Sequence, residues 1–279
     1  MEKDHIIRAI SLDGEHQLYV VRARQVLLDA TAIRPLSKKA SELLTNMMML
    51  ALLRSNNLKE ASSLLTFQLD TVSDAKKIMA TANSMGEVKG YIANPSCIGD
   101  LSSNMLSCTA DLGMKTPYHS SIFVDGSSFE NCVNSFFEQS DQTLIRFHSH
   151  LVFDDNGDFV DAVALLYHKL PTSSHDYNNI YSDARAEEAL KKDTLEEIAA
   201  AFFKEEKFEI VSDEPVCFHC DCSKDKFVKL LQTVTVEELS DMASQKEPTV
   251  TTCGWCGKSY SFTPEEIARI AASKLKKQA

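Results

Sequence analysis

Two closely spaced pairs of cysteines lie in the last quarter of the chain. A C-D-C motif at 220–222 is followed, after thirty intervening residues, by a C-G-W-C motif at 253–256. A zinc ion takes four thiolate ligands in a tetrahedron, and short C-x-C and C-x-x-C loops each bring two sulfur atoms towards one point. The spacing therefore predicts one zinc ion per chain, bound by Cys220, Cys222, Cys253 and Cys256.

The residues around the second pair favour a metal-binding turn. Gly254 and Gly257 lie beside these cysteines, where a tight turn needs residues without a Cβ atom. Segments 248–251 and 258–262 have the composition of short strands. The sequence therefore predicts a β-hairpin with the second cysteine pair at its tip. The alternative, four unrelated buried cysteines, is disfavoured by the regular spacing.

A zinc enzyme is the main alternative function class. Catalytic zinc keeps an open coordination position and usually has a general acid or base nearby, whereas four cysteines fill the coordination sphere. None of the eight histidines begins an H-x-E motif, and neither H-E-x-x-H nor G-x-S-x-G occurs. His219, next to Cys220, is either a substitute ligand or, as we favour, a surface histidine. We therefore predict that the protein is not an enzyme.

Composition limits the classes of partner and the cellular compartment that we expect. The chain has 279 residues, a formal net charge of −11 and 44% hydrophobic residues, enough for one sizeable domain and a smaller one. Acidic charge repels phosphate backbones, so we expect no nucleic-acid partner. The charged start lacks a signal peptide's apolar run, so we expect a cytoplasmic protein with no membrane partner. In a reducing compartment, eight cysteines favour metal or redox chemistry over structural disulfides.

The hydrophobic patterns predict an α+β protein, with an N-terminal antiparallel sheet packed with helices, a helical linker and a small C-terminal four-cysteine zinc domain. Alternating segments predict strands, and 3.6-residue periodicity behind Ser37 predicts a helix over 37–57. Four S/T-x-x-E capping boxes predict helix starts at 127–130, 194–197, 235–238 and 263–266. The predicted strands are 5–13, 17–24, 64–71, 76–82, 87–93, 143–153 and 159–169.

Several motifs resemble one known family, the 33 kDa chaperonin or heat shock protein 33 family of redox-regulated chaperones. The cysteine motifs carry most of the resemblance, within P-V-C-F-H-C-D-C-S at 215–223 and V-T-T-C-G-W-C-G-K-S-Y-S-F at 250–262. Further stretches similar to the family are V-K-G-Y-I-A-N-P at 88–95, D-L-G at 111–113 and F-F-E-Q-S-D-Q-T at 136–143. The resemblance thus extends over nearly the whole chain.

This resemblance implies a redox switch. In the reduced state the zinc-bound protein would be an inactive monomer. Oxidation would pair Cys220 with Cys222 and Cys253 with Cys256, release zinc, unfold the linker and produce a homodimer that binds unfolding proteins without ATP. No P-loop is present, since Thr252 stands where its first glycine would be. A structural zinc ribbon that binds protein or nucleic acid without redox switching remains the alternative.

The same reasoning gives a domain organisation. We predict an N-terminal α+β client-binding and dimerisation domain at 1–170, an acidic, metastable helical linker at 171–216 and a zinc-binding switch domain at 217–279. The linker begins with a polar, turn-rich stretch at 172–179. It contains twelve acidic and five basic residues, and thus −7 of the net charge of −11. A plain solvated acidic helix would have the same composition.

Cys217 adds a fifth thiol three residues before Cys220 and makes a C-x-x-C motif with it. Two roles are open for this residue. It competes with Cys222 for zinc, or it pairs with Cys220 on oxidation, because a C-x-x-C closes a disulfide with less distortion than a C-x-C. We favour the second role and expect a free, reactive thiol in the reduced protein. We expect Cys97, Cys108 and Cys132 to be small buried hydrophobic residues.

Overall fold

The computed structural model describes residues 3–124, 126, 128–141, 143–157, 159–170 and 180–278. The chain divides into two compact units, Met1–His219 and Cys220–Ala279. The turn-rich segment 172–179 lies outside the described residues, so the domain boundaries at 170/171 and 216/217 remain predictions. Among the described residues, none of the helices has both the length and the apolar character needed to cross a bilayer.

The first unit is built on two mainly antiparallel sheets. The five-stranded sheet has the order β10-β1-β2-β9-β8, and the six-stranded sheet has the order β11-β5-β4-β3-β6-β7. Only the β11–β5 pair is parallel among these described strands. The predicted α+β class and antiparallel sheet are confirmed. The strands are β1 (His5–Ser11), β2 (His16–Arg22), β3 (Leu64–Thr71), β4 (Lys77–Asn83), β5 (Glu87–Ile92), β6 (Asn104–Asp111), β7 (Tyr118–Val124), β8 (Ile145–Phe153), β9 (Phe159–Lys169), β10 (Phe208–Pro215) and β11 (Cys217–Phe218).

The helices of the first unit include the long, buried α2. It packs against strands of both sheets, and Met47 and Met48 are at most 1% exposed. Its N-terminus is where the sequence predicts it, because the Ser37 side chain accepts a hydrogen bond from the Ala40 amide at 3.1 Å. The helices are α1 (Arg24–Thr31), α2 (Lys38–Ser55), α3 (Phe129–Ser140), α4 (Asp183–Ala189) and α5 (Leu195–Phe203).

Helix α3 begins at Phe129, whereas Ser127, the first residue of the predicted capping box, lies outside the described residues. Ser128 is the N-cap, and its hydroxyl accepts from the Asn131 amide at 3.2 Å. The Glu130 carboxylate accepts from the amide and hydroxyl of Ser149 on β8 at 2.7 and 3.0 Å. Glu130 thus connects α3 to the sheet by hydrogen bonds. The local motif predicts the helix but not the residue at which it begins.

The described part of the acidic stretch forms helices α4 and α5 and strand β10. Thr194 and Glu197 form the predicted capping box of α5. Both helices pack on the face of the five-stranded sheet that is turned away from α2. This second hydrophobic cluster buries sheet side chains such as Leu18, Val20 and Tyr167 under helix side chains such as Ile198 and Phe202. Strand β10 then pairs along β1 at the edge of the same sheet.

The second unit holds a two-stranded hairpin and three helices among its described residues. Thr235 with Glu238 and Thr263 with Glu266 form the predicted capping boxes, each through reciprocal hydrogen bonds. A small core buries six hydrophobic side chains: Leu231, Leu239, Phe262, Ile267, Ile270 and Ala271. The elements are α6 (Lys224–Leu231), α7 (Val236–Ser244), β12 (Thr249–Thr252), β13 (Ser259–Phe262) and α8 (Pro264–Gln278).

Candidate metal centre

The second cysteine pair lies at the tip of the β12–β13 hairpin, as predicted. The Cys253 amide donates to the Lys258 carbonyl at 2.9 Å, and the Gly257 amide donates to the Cys253 carbonyl at 2.9 Å. Gly257 has a φ of +69°, a conformation that favours glycine, whereas Gly254 has no positive φ. Only the second of the two flanking glycines is therefore required by the turn.

The first cysteine pair immediately precedes helix α6. Ser223, which follows Cys222, is the N-cap of α6, and its side chain accepts from the Lys226 amide at 3.3 Å. The ammonium of Lys226 in turn forms an ion pair with the carboxylate of Asp221, between the two cysteines. The cap fixes the first residue of α6. Cys220 and Cys222 therefore lie on an irregular segment that ends at Ser223.

The four predicted ligands come together in the second unit. Their sulfur atoms all lie within 4.8 Å of one another. Cys220 and Cys253 are 3.8 Å apart at Sγ, and Cys222 and Cys256 are 3.3 Å apart. Tetrahedral bonds of about 2.3 Å to zinc require sulfur atoms about 3.8 Å apart. The cluster therefore has the size and the donor atoms for one metal ion, and the all-sulfur set suits zinc.

Tyr260 contacts this cluster and was not identified from the sequence. Its hydroxyl lies 3.1 Å from Cys222 Sγ and donates to the Cys222 carbonyl at 2.9 Å. Its ring packs against Phe227 of α6, with centroids 4.9 Å apart. Tyr260 lies on β13, four residues after Cys256. This short separation in the sequence is the signal that could have identified it as a neighbour of the cysteines.

The surroundings shift the pKa values of the clustered thiols in different directions. Burial, followed by the neighbouring thiols, raises the pKa of Cys220 to about 12. Burial also raises the pKa of Cys256. At Cys222 burial acts in the same direction, but hydrogen bonds from Tyr260 and the other thiols outweigh it and lower the pKa. Cys222 is therefore the sulfur that its surroundings favour as a thiolate, the form in which cysteine binds metal.

Cys217 lies in the first unit, on the short strand β11. Its amide donates to the Gly86 carbonyl at 2.9 Å, and it stands opposite Glu87 in the parallel pair. The residue is exposed, but partial burial of the thiol and the carboxylates of Glu87 and Asp29 raise its pKa. A raised pKa lowers the thiolate fraction at neutral pH, which argues against the high reactivity expected for Cys217 in the reduced protein. His219 is also held in the first unit, its amide donating to the Val88 carbonyl at 2.9 Å.

The remaining cysteines lie in or beside the core of the first unit. Cys97 and Cys132 are 0% exposed, as predicted for small hydrophobic residues. Cys108 is partly buried against the core, and burial raises its pKa to about 12. These surroundings suit thiols that serve in packing rather than in redox chemistry.

A second group of possible metal ligands, not predicted from the sequence, lies in the β1–β2 turn. Asp13, Glu15 and His16 place ligand atoms within 4.8 Å of one another. The turn itself explains this grouping, because Asp13 Oδ1 accepts from the Glu15 amide at 2.9 Å and the buried His16 ring is 2.7 Å from the Tyr167 hydroxyl. We assign it no metal.

Comparisons with known proteins show what the whole chain is similar to. The sequence profile of the family described as Hsp33 protein matches residues 4–263. The 33 kDa chaperonin of Latilactobacillus sakei is 23% identical, covering 98% of this chain and 100% of the relative. That of Levilactobacillus brevis is 25% identical, covering 96% and 97%.

A solved structure shows the same fold. The crystal structure of the 33 kDa chaperonin (heat shock protein 33 homologue) from Thermotoga maritima matches with a TM-score of 0.84 at 20% identity, covering 99% of this chain and 100% of that one. The family profile spans both compact units and includes all four clustered cysteines. The chain therefore belongs to the Hsp33 family, a family of chaperones.

Proposed function

We propose that this protein is a redox-regulated, ATP-independent holdase chaperone. In the reduced state Cys220, Cys222, Cys253 and Cys256 hold one zinc ion, and the protein is an inactive monomer. Oxidation of these cysteines releases zinc and unfolds the linker. The protein then dimerises and binds unfolding proteins in the cytoplasm during oxidative stress. Family membership supports the chaperone role, and the compact cluster of four thiols is the observation that supports the switch.

The chemistry of the switch follows from the two sequence-adjacent pairs. Within each pair, one thiolate attacks hydrogen peroxide, breaks the O–O bond and becomes a sulfenic acid with loss of hydroxide. The neighbouring thiolate displaces a second hydroxide and forms the disulfide. Two electrons thus pass from each pair to one peroxide molecule. Disulfide sulfur is no longer a thiolate ligand, so oxidation of Cys220 with Cys222 and of Cys253 with Cys256 removes the metal-binding set.

The small core of the second unit makes its fold dependent on the metal. Six buried side chains among its described residues, including Leu239 and Phe262, form its core within about sixty residues, a size at which hydrophobic burial alone is marginal. Zinc contributes about 10 to 16 kcal/mol in small zinc-binding peptides, against about 5 to 15 kcal/mol of net stability for a whole domain. Loss of the ion is therefore expected to unfold this unit.

The acidic stretch covers the surface that would bind clients. Helices α4 and α5 cover apolar sheet residues including Leu18, Val20 and Leu165, all 0% exposed. One residue separates β11 from Cys220, so unfolding that starts at the cysteines acts directly on the chain that leads back to β10 and the helices. Release of α4 and α5 would expose a continuous apolar sheet face. Such a face binds unfolding proteins without any need for nucleotide.

The test is to follow zinc and client protection together in the full-length protein. Reduced protein, with and without peroxide, is mixed with a heat-sensitive client in the absence of ATP. Zinc is measured with a chromogenic chelator, client aggregation by light scattering and oligomeric state by gel filtration. We expect protection and dimers only after peroxide has released zinc. Equal protection before and after oxidation would favour the alternative, a structural zinc ribbon without a redox switch.

A further inference from the structure

We infer that Tyr260 is a positioning residue of the cysteine switch, whose hydroxyl holds Cys222 in the metal-binding arrangement and restrains its reaction with oxidants. This inference rests on the proposed function and adds to it a residue outside the four cysteines. Its basis is one hydroxyl group within hydrogen-bond distance of both the sulfur and the carbonyl oxygen of the same residue.

The two contacts account for both protonation states of Cys222. With a neutral thiol, the Tyr260 hydroxyl donates to the Cys222 carbonyl at 2.9 Å, and the S–H group can donate to the tyrosine oxygen at 3.1 Å. With a thiolate, the sulfur becomes a charged acceptor, and hydrogen bonds to charged acceptors are the stronger ones. A small rotation of the O–H bond then transfers the hydrogen bond to sulfur without moving any heavy atom.

The ring of Tyr260 is itself fixed from two sides. Its backbone lies on β13 opposite Thr251, and its ring packs against Phe227 of α6 at a centroid distance of 4.9 Å. Tyr260 therefore contacts three parts of the second unit: the hairpin through its backbone, helix α6 through its ring and the segment that carries Cys222 through its hydroxyl. A metal ligand oriented by a fixed outer group loses less freedom when it binds, and such groups typically change metal affinity by about 10- to 100-fold.

When Cys222 is already a thiolate, as it would be with zinc bound, the same contact opposes its oxidation. To attack peroxide, Cys222 must direct a lone pair of its sulfur at an oxygen atom, and a hydrogen bond from Tyr260 withdraws electron density from that sulfur. To close a disulfide with Cys220, the Cys222 side chain must also leave the hydroxyl. Tyr260 therefore favours the reduced, metal-bound arrangement over both steps.

The test compares Tyr260→Phe with the parent protein, both full-length, reduced and fully loaded with zinc. Phenylalanine keeps the ring beside Phe227 and removes only the hydroxyl. We expect zinc affinity, measured by chelator competition, to fall about tenfold. We expect the rate of Cys222 modification by peroxide, measured by differential alkylation and peptide mass mapping, to rise several-fold. Tyr118→Phe, at an exposed tyrosine of the first unit, is the matched control and should change neither quantity.

A spectroscopic measurement separates the hydrogen bond from packing. In the cobalt-substituted protein, loss of a hydrogen bond to a thiolate raises the energy of the sulfur electrons and moves the thiolate-to-cobalt charge-transfer band to lower energy. Tyr260→Phe should shift the band in this direction, and by more than Phe227→Leu, which keeps the hydroxyl and only loosens the ring contact. Site-specific 3-fluorotyrosine at position 260, a stronger donor of nearly unchanged shape, should shift the band the opposite way and slow Cys222 oxidation. The 3-fluorotyrosine variant also tests the inference if Tyr260→Phe does not fold.

Unchanged affinity, band position and Cys222 reactivity in Tyr260→Phe would overturn the inference. So would equal acceleration of all four thiols with no band shift, because that result describes a packing role only. These outcomes are independent of the proposed function. If the parent protein holds zinc but never protects a client after oxidation, the proposed function fails, whereas the affinity and the cobalt spectrum still report on Tyr260.

Discussion

His148 and Tyr181 connect the five-stranded sheet to the start of the acidic helices. Nε2 of His148, on β8, lies 2.6 Å from the Tyr181 hydroxyl, which itself donates to the Asp183 carboxylate at the beginning of α4. His148 is 5% exposed, and the Tyr181 ring is stacked on Tyr167 of β9 at 5.2 Å. This polar contact lies at the edge of the hydrophobic cluster under α4 and α5, so it helps to decide how firmly the helices are held.

The first prediction concerns this contact. Tyr181→Phe keeps the stacked ring but leaves the buried His148 without its hydroxyl partner, at a cost of about 1 kcal/mol or more. We expect faster hydrogen exchange in α4 and α5, and detectable client protection by the reduced protein. Hydrogen exchange with mass spectrometry checks the first, and light scattering checks the second. An exchange pattern identical to that of the parent would show that the contact does not hold the helices.

Phe202 allows a stronger test of the same surface. It is 0% exposed and contacts the rings of Tyr167 and Phe203, so Phe202→Ala removes a central part of the cluster under α5. Substitutions of this kind cost about 3 to 5 kcal/mol. We expect α4 and α5 to lose protection from exchange while β3 and β6, which belong to the other core cluster, keep it. Reduced Phe202→Ala should then protect clients without peroxide.

The control for this variant is Phe123→Ala, at a phenylalanine that is 81% exposed on β7. It removes the same side chain with little loss of packing, and the reduced protein should stay inactive. If Phe202→Ala releases the helices but does not protect clients, the sheet face beneath α5 is not the client surface.

The metal site gives the third prediction. Cys253→Ser or Cys256→Ser leaves three sulfur ligands, so each variant should bind zinc much more weakly than the parent, which should hold one ion per chain. Cys217→Ser is the matched control, because Cys217 lies on β11 in the first unit, and it should retain zinc fully. Metal analysis after dialysis against a weak chelator measures all three. Stoichiometric zinc in both hairpin variants would contradict the ligand assignment.

The sequence predicts the clustering of the four cysteines and the local elements well because their signals are local. The C-x-C and C-x-x-C motifs, the hairpin between them and the boxes begun by Thr194 and Thr235 each depend on residues close together in the chain. Strand β10 is different because it pairs with β1. His5 stands opposite Pro215, although nearly the whole sequence of the first unit separates the two residues. Its exposed, acidic composition resembles a linker, and only its distant partner makes it a strand.

Tyr260 and Glu130 illustrate the same limit for side chains. Tyr260 reaches Cys222 across thirty-eight positions, and Glu130 leaves its expected capping role for Ser149 on β8. In both cases a tertiary partner decides what the side chain does. The motifs around them predict a hairpin and a helix correctly, but not these contacts.

The fourth prediction is a pH dependence at Cys217. The carboxylate of Glu87, opposite Cys217 in the sheet, disfavours the thiolate and contributes, after burial, to the raised pKa. Glu87→Gln removes that negative charge, so the pKa of Cys217 should fall and its thiolate fraction at pH 7 should rise. Alkylation of Cys217 in the reduced, zinc-loaded protein should become a few-fold faster at pH 7, and its rate should level off at a lower pH than in the parent.

Lys89→Gln, two residues along β5, changes a charge on the same strand and is the control for general effects of charge on the reagent. Because removing a positive charge disfavours thiolates, its effect on Cys217, if measurable, should have the opposite sign. A Glu87→Gln protein with the parental pH profile would mean that burial alone sets the reactivity of Cys217.

The last prediction is the disulfide pattern of the oxidised protein. Cys217 is held on β11 beside β5 by the hydrogen bond from its amide to the Gly86 carbonyl, and His219 by the bond from its amide to the Val88 carbonyl. Each of these hydrogen bonds contributes only about 1 kcal/mol, so they restrain Cys217 weakly. Once zinc is lost, thiol exchange should therefore distribute the bond between Cys217–Cys220 and Cys220–Cys222. Peptide mapping of the oxidised chain should show both linkages, and Cys217→Ser should change the rate at which reductant restores the thiols. If only Cys220–Cys222 is found and the variant is reduced at the parental rate, Cys217 takes no part in the switch.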